Sequence, residues 1–124
     1  MRLLLDTNVF LWWWEGSPRL PVRVRDLIRD SGNDIAVSIA SLWEIAIKRA
    51  LGKLDFRGDF QEVMTEEAFD LLAITYGHLR VLADLPRNHG DPFDRLLIAQ
   101  SLAERMPIAT ADRAFAAYEV EILW

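Results

Sequence analysis

Met1-Arg2-Leu3-Leu4-Leu5-Asp6-Thr7-Asn8 opens the chain, an apolar run that stops abruptly on a carboxylate and then on two hydrogen-bonding side chains. Leu3 to Leu5 is short enough to be a strand buried on both faces, as in a parallel sheet. Asp6 then falls at the C-terminal end of that strand, the side on which open α/β sheets collect their ligands. Three more carboxylates fall at comparable junctions: Glu44 in Ser41-Leu42-Trp43-Glu44-Ile45, Asp94 in Asp91-Pro92-Phe93-Asp94-Arg95, and Asp112 in Thr110-Ala111-Asp112-Arg113. We read these three as converging on Asp6 to hold a divalent metal.

Working outward, Asn8 to Glu15 reads as a short, largely buried helix stopped by Gly16, Ser17 and Pro18. It contains Trp12, Trp13 and Trp14, and successive helical residues turn by about 100°, so the three rings cannot share one face. At least one is expected at the surface or in an interface. Pro21 opens a second helix to about Asp30, Ile35 to Ser38 is a second strand, and a third helix runs from about Ala40 to Leu51, closed by Gly52. Asp59 to Met64 reads as a short helix, Phe69 to Ile74 as a third strand and Tyr76 to Ala83 as a helix. Asp91 and Pro92 supply the N-cap and first position of the clearest helix, with Leu96, Leu97, Ile98, Ala99 and Leu102 beneath. Pro107 to Thr110 is a short strand, Arg113 to Ala117 about one turn, and Val120 to Leu123 a last strand. Strands separated by helices imply an α/β fold, a sandwich with helices on both faces of a short, mainly parallel central sheet.

A chain of 124 residues with 52% hydrophobic residues fills one core, so we expect one domain over 1–124. There is no cysteine, which rules out disulfides and thiolate metal sites and leaves oxygen ligands or the two histidines, His78 and His89. No stretch approaches the roughly 18 apolar residues of a membrane span, and the start lacks a signal-peptide pattern; a cytoplasmic protein without a membrane partner is expected. A net charge of −5 argues against a general nucleic-acid coat protein. It leaves room for a nuclease, in which clustered carboxylates hold metal while a local Arg or Lys patch meets phosphate.

Each acid alone has an ordinary role. Asp91 and Asp94 suit the positive end of a helix, Glu44 follows Ser41 at capping-box spacing and can pair with Lys48, and Asp112 can cap the turn after it. Together they read differently, because several like charges within a few ångströms are costly unless a cation neutralises them. Hard oxygen ligands suit Mg²⁺ or Mn²⁺. On this reading, removing one acid from the metal-free protein leaves stability unchanged or slightly raised.

These motifs carry a resemblance. Leu-Asp-Thr-Asn, then Ser-Leu-Trp-Glu-Ile-Ala-Ile-Lys, then His-Gly-Asp-Pro-Phe-Asp-Arg-Leu-Leu-Ile-Ala-Gln, then Thr-Ala-Asp resemble, nearly end to end, a PIN-domain ribonuclease, and more narrowly the VapC toxins of type II toxin–antitoxin systems. The resemblance implies that Asp6, Glu44, Asp94 and Asp112 are the catalytic acids that bind Mg²⁺ or Mn²⁺, with Thr110 supporting them. It implies metal-assisted hydrolysis of RNA, a carboxylate taking a proton from water and the products carrying 5′-phosphate and 3′-hydroxyl ends. It also implies a homodimer and a small VapB-like antitoxin that covers the site.

Some choices stay open. Asp91 lies three residues before Asp94 on the same helical face and is an alternate or supporting ligand. Thr7 and Asn8 either orient Asp6 or water or cap the first helix, and His89 invites a general-acid role. Lys48, Arg95 and Arg113 are near enough to the acids to contact RNA phosphate, although ion pairing is the more economical role. Two other readings compete: a non-catalytic interaction module on the same fold, and a Mg²⁺-dependent aspartyl-phosphate enzyme. The second lacks the late lysine of receivers and has Asn8 where phosphatases favour a second Asp.

Overall fold

Residues 1–124 are described by a computed structural model. β1 (Arg2–Leu5), β2 (Asp34–Ser38), β3 (Asp70–Leu72), β4 (Ile108–Ala109) and β5 (Ile122–Leu123) form one sheet in the order β3-β2-β1-β4-β5. Every pairing is parallel, in agreement with the expected fold class. From β1 the chain steps outward to β2 and β3, then returns to the opposite side of β1 for β4 and β5. That reversal makes the space beyond the C-terminal ends of β1 and β4 a topological switch point, where connections diverge and leave a crevice.

Alternation along the strands divides the core between two layers. Leu3, Leu5, Ile35, Val37 and Ala109 face a cluster built with α1 (Thr7–Glu15), α2 (Val22–Arg29), α3 (Ile39–Ala50) and α4 (Phe60–Glu66). Leu4, Ala36 and Ile108 face the other way, against α5 (Tyr76–Asp84), α6 (Pro92–Glu104) and a 3-10 turn at Arg113–Ala117. All three leucines of β1 are fully buried, which is why its sequence shows no polar alternation. No helix is long and apolar enough to cross a membrane.

Two local expectations are revised. The strand expected over 69–74 is only Asp70–Leu72, because it is an edge strand paired with β2 alone and Phe69 turns into the core instead. The capping box expected at Ser41 and Glu44 does not form: α3 starts earlier, with Ser38 as its N-cap accepting from Ala40 N, so Glu44 lies in the second turn. A capping box does form at α5, where Thr75 Oγ1 accepts from His78 N while His78 Nδ1 accepts from Thr75 N. There a histidine replaces the usual Glu or Gln.

The tryptophan run is largely absorbed by the protein itself. Trp12 packs on Trp124, Trp13 donates Nε1–H to Glu67 Oε2 at 2.9 Å, and Trp14 packs on Phe56 with ring centres 4.6 Å apart. The most exposed tryptophan is Trp43, at 57%.

Candidate active site

Asp6 leaves β1 in extended conformation and becomes the N-cap of α1, its Oδ1 accepting from Val9 N at 2.8 Å. Its Oδ2 accepts from Thr110 Oγ1 at 2.5 Å. Thr110 stands immediately after β4, and its Oγ1 also accepts from Asp112 N at 3.0 Å. One hydroxyl thus ties together the ends of the two strands that flank the switch point. Asp6 is buried, and burial pushes its carboxyl up to about 6; hydrogen bonds from Thr110 and Val9 oppose this, and the charges of Asp112 and Glu44 add to it.

Glu44 is brought to the same edge by α3 and is almost fully buried. Thr7 Oγ1 donates to its Oε1 at 2.7 Å and Lys48 Nζ to its Oε2 at 2.8 Å. The Thr7 and Ser41 hydroxyls are 3.0 Å apart. Since the single Thr7 proton serves Glu44, Ser41 is the donor in that contact. Thr7 therefore orients Glu44 rather than Asp6. Asn8 is exposed on the first turn of α1.

Asp94 enters from the first turn of α6, and its carboxyl is pushed up to about 7, first by burial and then by the charges of Asp91, Glu44, Asp112 and Asp6. Asp91 is exposed, with Oδ1 accepting from Phe93 N and Asp94 N as the α6 N-cap. Asp112 is exposed, with Oδ1 accepting from Ala114 N at 2.9 Å. Asp6 and Asp112 are therefore caps as well as members of the acidic cluster. Removing either one sets the loss of a cap, about 1 kcal/mol, against the relief of like-charge repulsion on which the expected neutral effect rests.

The cations near the cluster are differently employed. Lys48 is held by Glu44, which raises its pKa. Arg95, expected near phosphate, is instead tied into the loop before α6: Nη1 donates to Pro86 O at 2.8 Å and to the Tyr118 hydroxyl at 3.1 Å, and Nη2 to Leu85 O at 3.4 Å. Arg113 is exposed beside Asp112. Two residues have a part here beyond the sequence reading: Ser41, read there only as a capping partner of Glu44, and Tyr118. The spacing of Ser41 and Glu44 did place them on one helical face, whereas nothing marked Tyr118.

The cluster suits a hard divalent cation in its chemistry. Its donors are all oxygen, the charges of neighbouring acids raise the affinity of Asp6 and Asp94 for protons, and the nearby ammonium of Lys48 is paired with Glu44. As the side chains stand, no three of them meet around one point at ligating distance.

A parallel α/β sheet with four carboxylates beyond the ends of β1 and β4 defines a class, and residues 3–121 match the family model described as PIN domain. The chain belongs to the PIN domain family, whose members are generally nucleases and generally use divalent metal ions. By sequence alone, no curated protein is significantly similar to it. Among solved structures it is similar to VapBC-1 from nontypeable Haemophilus influenzae, with a TM-score of 0.74, 16% identity, and coverage of 99% of this chain and 97% of that one. It is similar to VapBC2 from Rickettsia felis bound to a promoter DNA fragment, with a TM-score of 0.70 at 15% identity over 100% of this chain and 99% of that one. A toxin–antitoxin complex from Klebsiella pneumoniae gives a TM-score of 0.67 at 15% identity over 98% and 96% of the two chains. At these identities the likeness is one of fold.

Proposed function

We propose that this protein is a Mg²⁺- or Mn²⁺-dependent endoribonuclease, the VapC-like toxin of a type II toxin–antitoxin system. The observation that carries the reading is the gathering of Asp6, Glu44, Asp94 and Asp112 at the switch point, where Asp6 and Asp94 are both pushed up by burial and by their neighbours' charges. A divalent cation bound there would supply charge neutralisation for a phosphodiester and acidification of water. Asp6, Asp94, Asp112 and Glu44 would hold it, with Asp91 supporting Asp94. Thr110 and Thr7 fix the carboxylates of Asp6 and Glu44, and Asp94, whose carboxyl is pushed up to about 7, is the group suited to accept a proton from water. Both oxygens of Asp6 already accept hydrogen bonds, which suits an anchored ligand better than a free nucleophile.

The partners of this reading are RNA, a second copy of the chain and a small VapB-like antitoxin in the same cytoplasm. The VapBC and toxin–antitoxin complexes among similar structures support the antitoxin. So does an apolar groove of about 770 Å³ between α3 and α4, lined by Ile39, Leu42, Trp43, Ala46, Phe60 and Met64 among others. The test is cleavage of a defined RNA by purified protein with Mg²⁺, with chelator, and by Asp94→Asn. Cleavage that survives both the chelator and the substitution would refute the reading; products with 5′-phosphate ends are expected.

A further inference from the structure

Beside Asp94 the loop before α6 and the 3-10 turn are joined by polar contacts that the proposed reaction leaves unused. The Arg95 guanidinium donates to the Tyr118 hydroxyl, which lies 2.7 Å from His89 Nδ1. A guanidinium can only donate, so the phenol oxygen is the acceptor toward Arg95. Giving the phenol hydrogen to His89 Nδ1, the acceptor beside it, puts the imidazole hydrogen on Nε2. Nε2 is shielded from solvent and has no hydrogen-bond partner, yet it lies 3.8 Å from Asp94 Oδ2. The ring is held there edge-to-face against Tyr118, centres 5.4 Å apart, and also packs on Phe115. An N–H buried without a partner is unfavourable, and a gap of this length closes with a small rotation of the carboxylate.

We propose that His89 is a positioning residue for Asp94: Arg95 and Tyr118 hold its Nε2–H toward the carboxylate, and that N–H closes onto Oδ2 when Asp94 turns to a divalent cation. The inference rests on the reading of the acidic cluster as a metal centre. Carboxylates that bind metal are themselves held by hydrogen bonds, and losing such a partner weakens metal binding by roughly ten- to a hundredfold. The role also accounts for Arg95, whose guanidinium is directed to the loop and to Tyr118 instead of outward.

Two measurements test this. In ¹⁵N-labelled metal-free protein, which contains only two histidines, two-bond correlations of the imidazole nitrogens report which nitrogen carries hydrogen. His89 should be the Nε2–H tautomer in the wild type and a mixture in Tyr118→Phe; an Nδ1–H ring in the wild type would overturn the proposal. Mn²⁺ titrations of wild type, Asp94→Asn, His89→Ala and His89→Gln, each with its fold checked by circular dichroism, form the second measurement. His89→Ala should weaken binding about tenfold, and His89→Gln, whose amide N–H can stand in for Nε2–H, should recover part of the loss. If Asp94→Asn binds Mn²⁺ as the wild type does, or the wild type binds none, the metal reading itself fails. If Asp94→Asn weakens binding while His89→Ala does not, or if the Ala and Gln variants are equally weak, the metal reading stands and the role of His89 falls.

Discussion

Thr110 Oγ1 donates to Asp6 Oδ2 at 2.5 Å, joining two residues 104 positions apart at the ends of adjacent strands. The same oxygen accepts from Asp112 N, so a single side chain sets the position of two of the four acids. Thr110→Val keeps the shape but removes both contacts and leaves a buried carboxyl without its donor. Its expected cost is about 1–3 kcal/mol in denaturant unfolding. Because the Thr110 bond lowers the Asp6 pKa, the acid limb of the cleavage profile should also move to higher pH. Thr110→Ser, which keeps the hydroxyl, should restore both; a valine variant as stable and as active as the serine one would contradict the arrangement.

The double role of Asp6 separates two substitutions. Asparagine is as good an N-cap as aspartate, whereas alanine is not, so Asp6→Ala should be less stable than Asp6→Asn by about 1 kcal/mol in the metal-free state. Both should bind Mn²⁺ more weakly than the wild type. Equal melting temperatures for the two variants would mean that the bond from Val9 N contributes nothing.

The raised carboxyls fix the sign of a pH dependence. Asp6 and Asp94 take up protons near 6 and 7 in the folded chain, against 3.8 in the unfolded one. Between those values the folded state holds more protons, so these two groups make stability fall as pH rises from about 4 to about 7. Metal-free melts across that range should show the decline, and Asp94→Asn should flatten it. A slope that is the same in wild type and Asp94→Asn would show that Asp94 carries no such strain.

Asp91 and Asp94 should part in a metal titration. Asp91 Oδ1 serves two backbone N–H groups at the start of α6, and asparagine can serve them equally well. Asp94 lies deeper and feels all the other acids. Asp94→Asn should therefore lower Mn²⁺ affinity and RNA cleavage more than Asp91→Asn, by at least about tenfold, the low end of what losing even a residue that supports a ligand costs. The opposite order would make Asp91 the ligand.

The legibility of the acids followed from their place at the boundaries of elements. Leu3 to Leu5 stop at Asp6, and Asp91-Pro92 starts a helix that carries Asp94, so local pattern alone located both. The fate of Thr7, Arg95 and His89 was not local. Thr7 reaches a glutamate 37 residues away, and Arg95 and His89 both meet Tyr118 across more than 20 residues of chain. Their donors could serve several acceptors equally well, and only packing selects one. β3 is shorter than its residues suggest for a related reason: an edge strand ends where its one neighbour stops pairing, which its own residues do not record.

The sequence by itself determined the alternation of strands and helices, the parallel sheet and the four carboxylates at its edge, because burial on two faces and helix capping leave marks within a few residues. Tertiary structure alone decided which hydroxyl holds which carboxylate, that Asp6 and Asp112 also cap, that the Arg95 guanidinium turns inward, and that His89 faces Asp94. Those outcomes depend on the order β3-β2-β1-β4-β5, which sets residues 104 positions apart within hydrogen-bond distance. A hydrogen bond requires its partners within about 3 Å, and no spacing along the chain encodes that distance between separate strands.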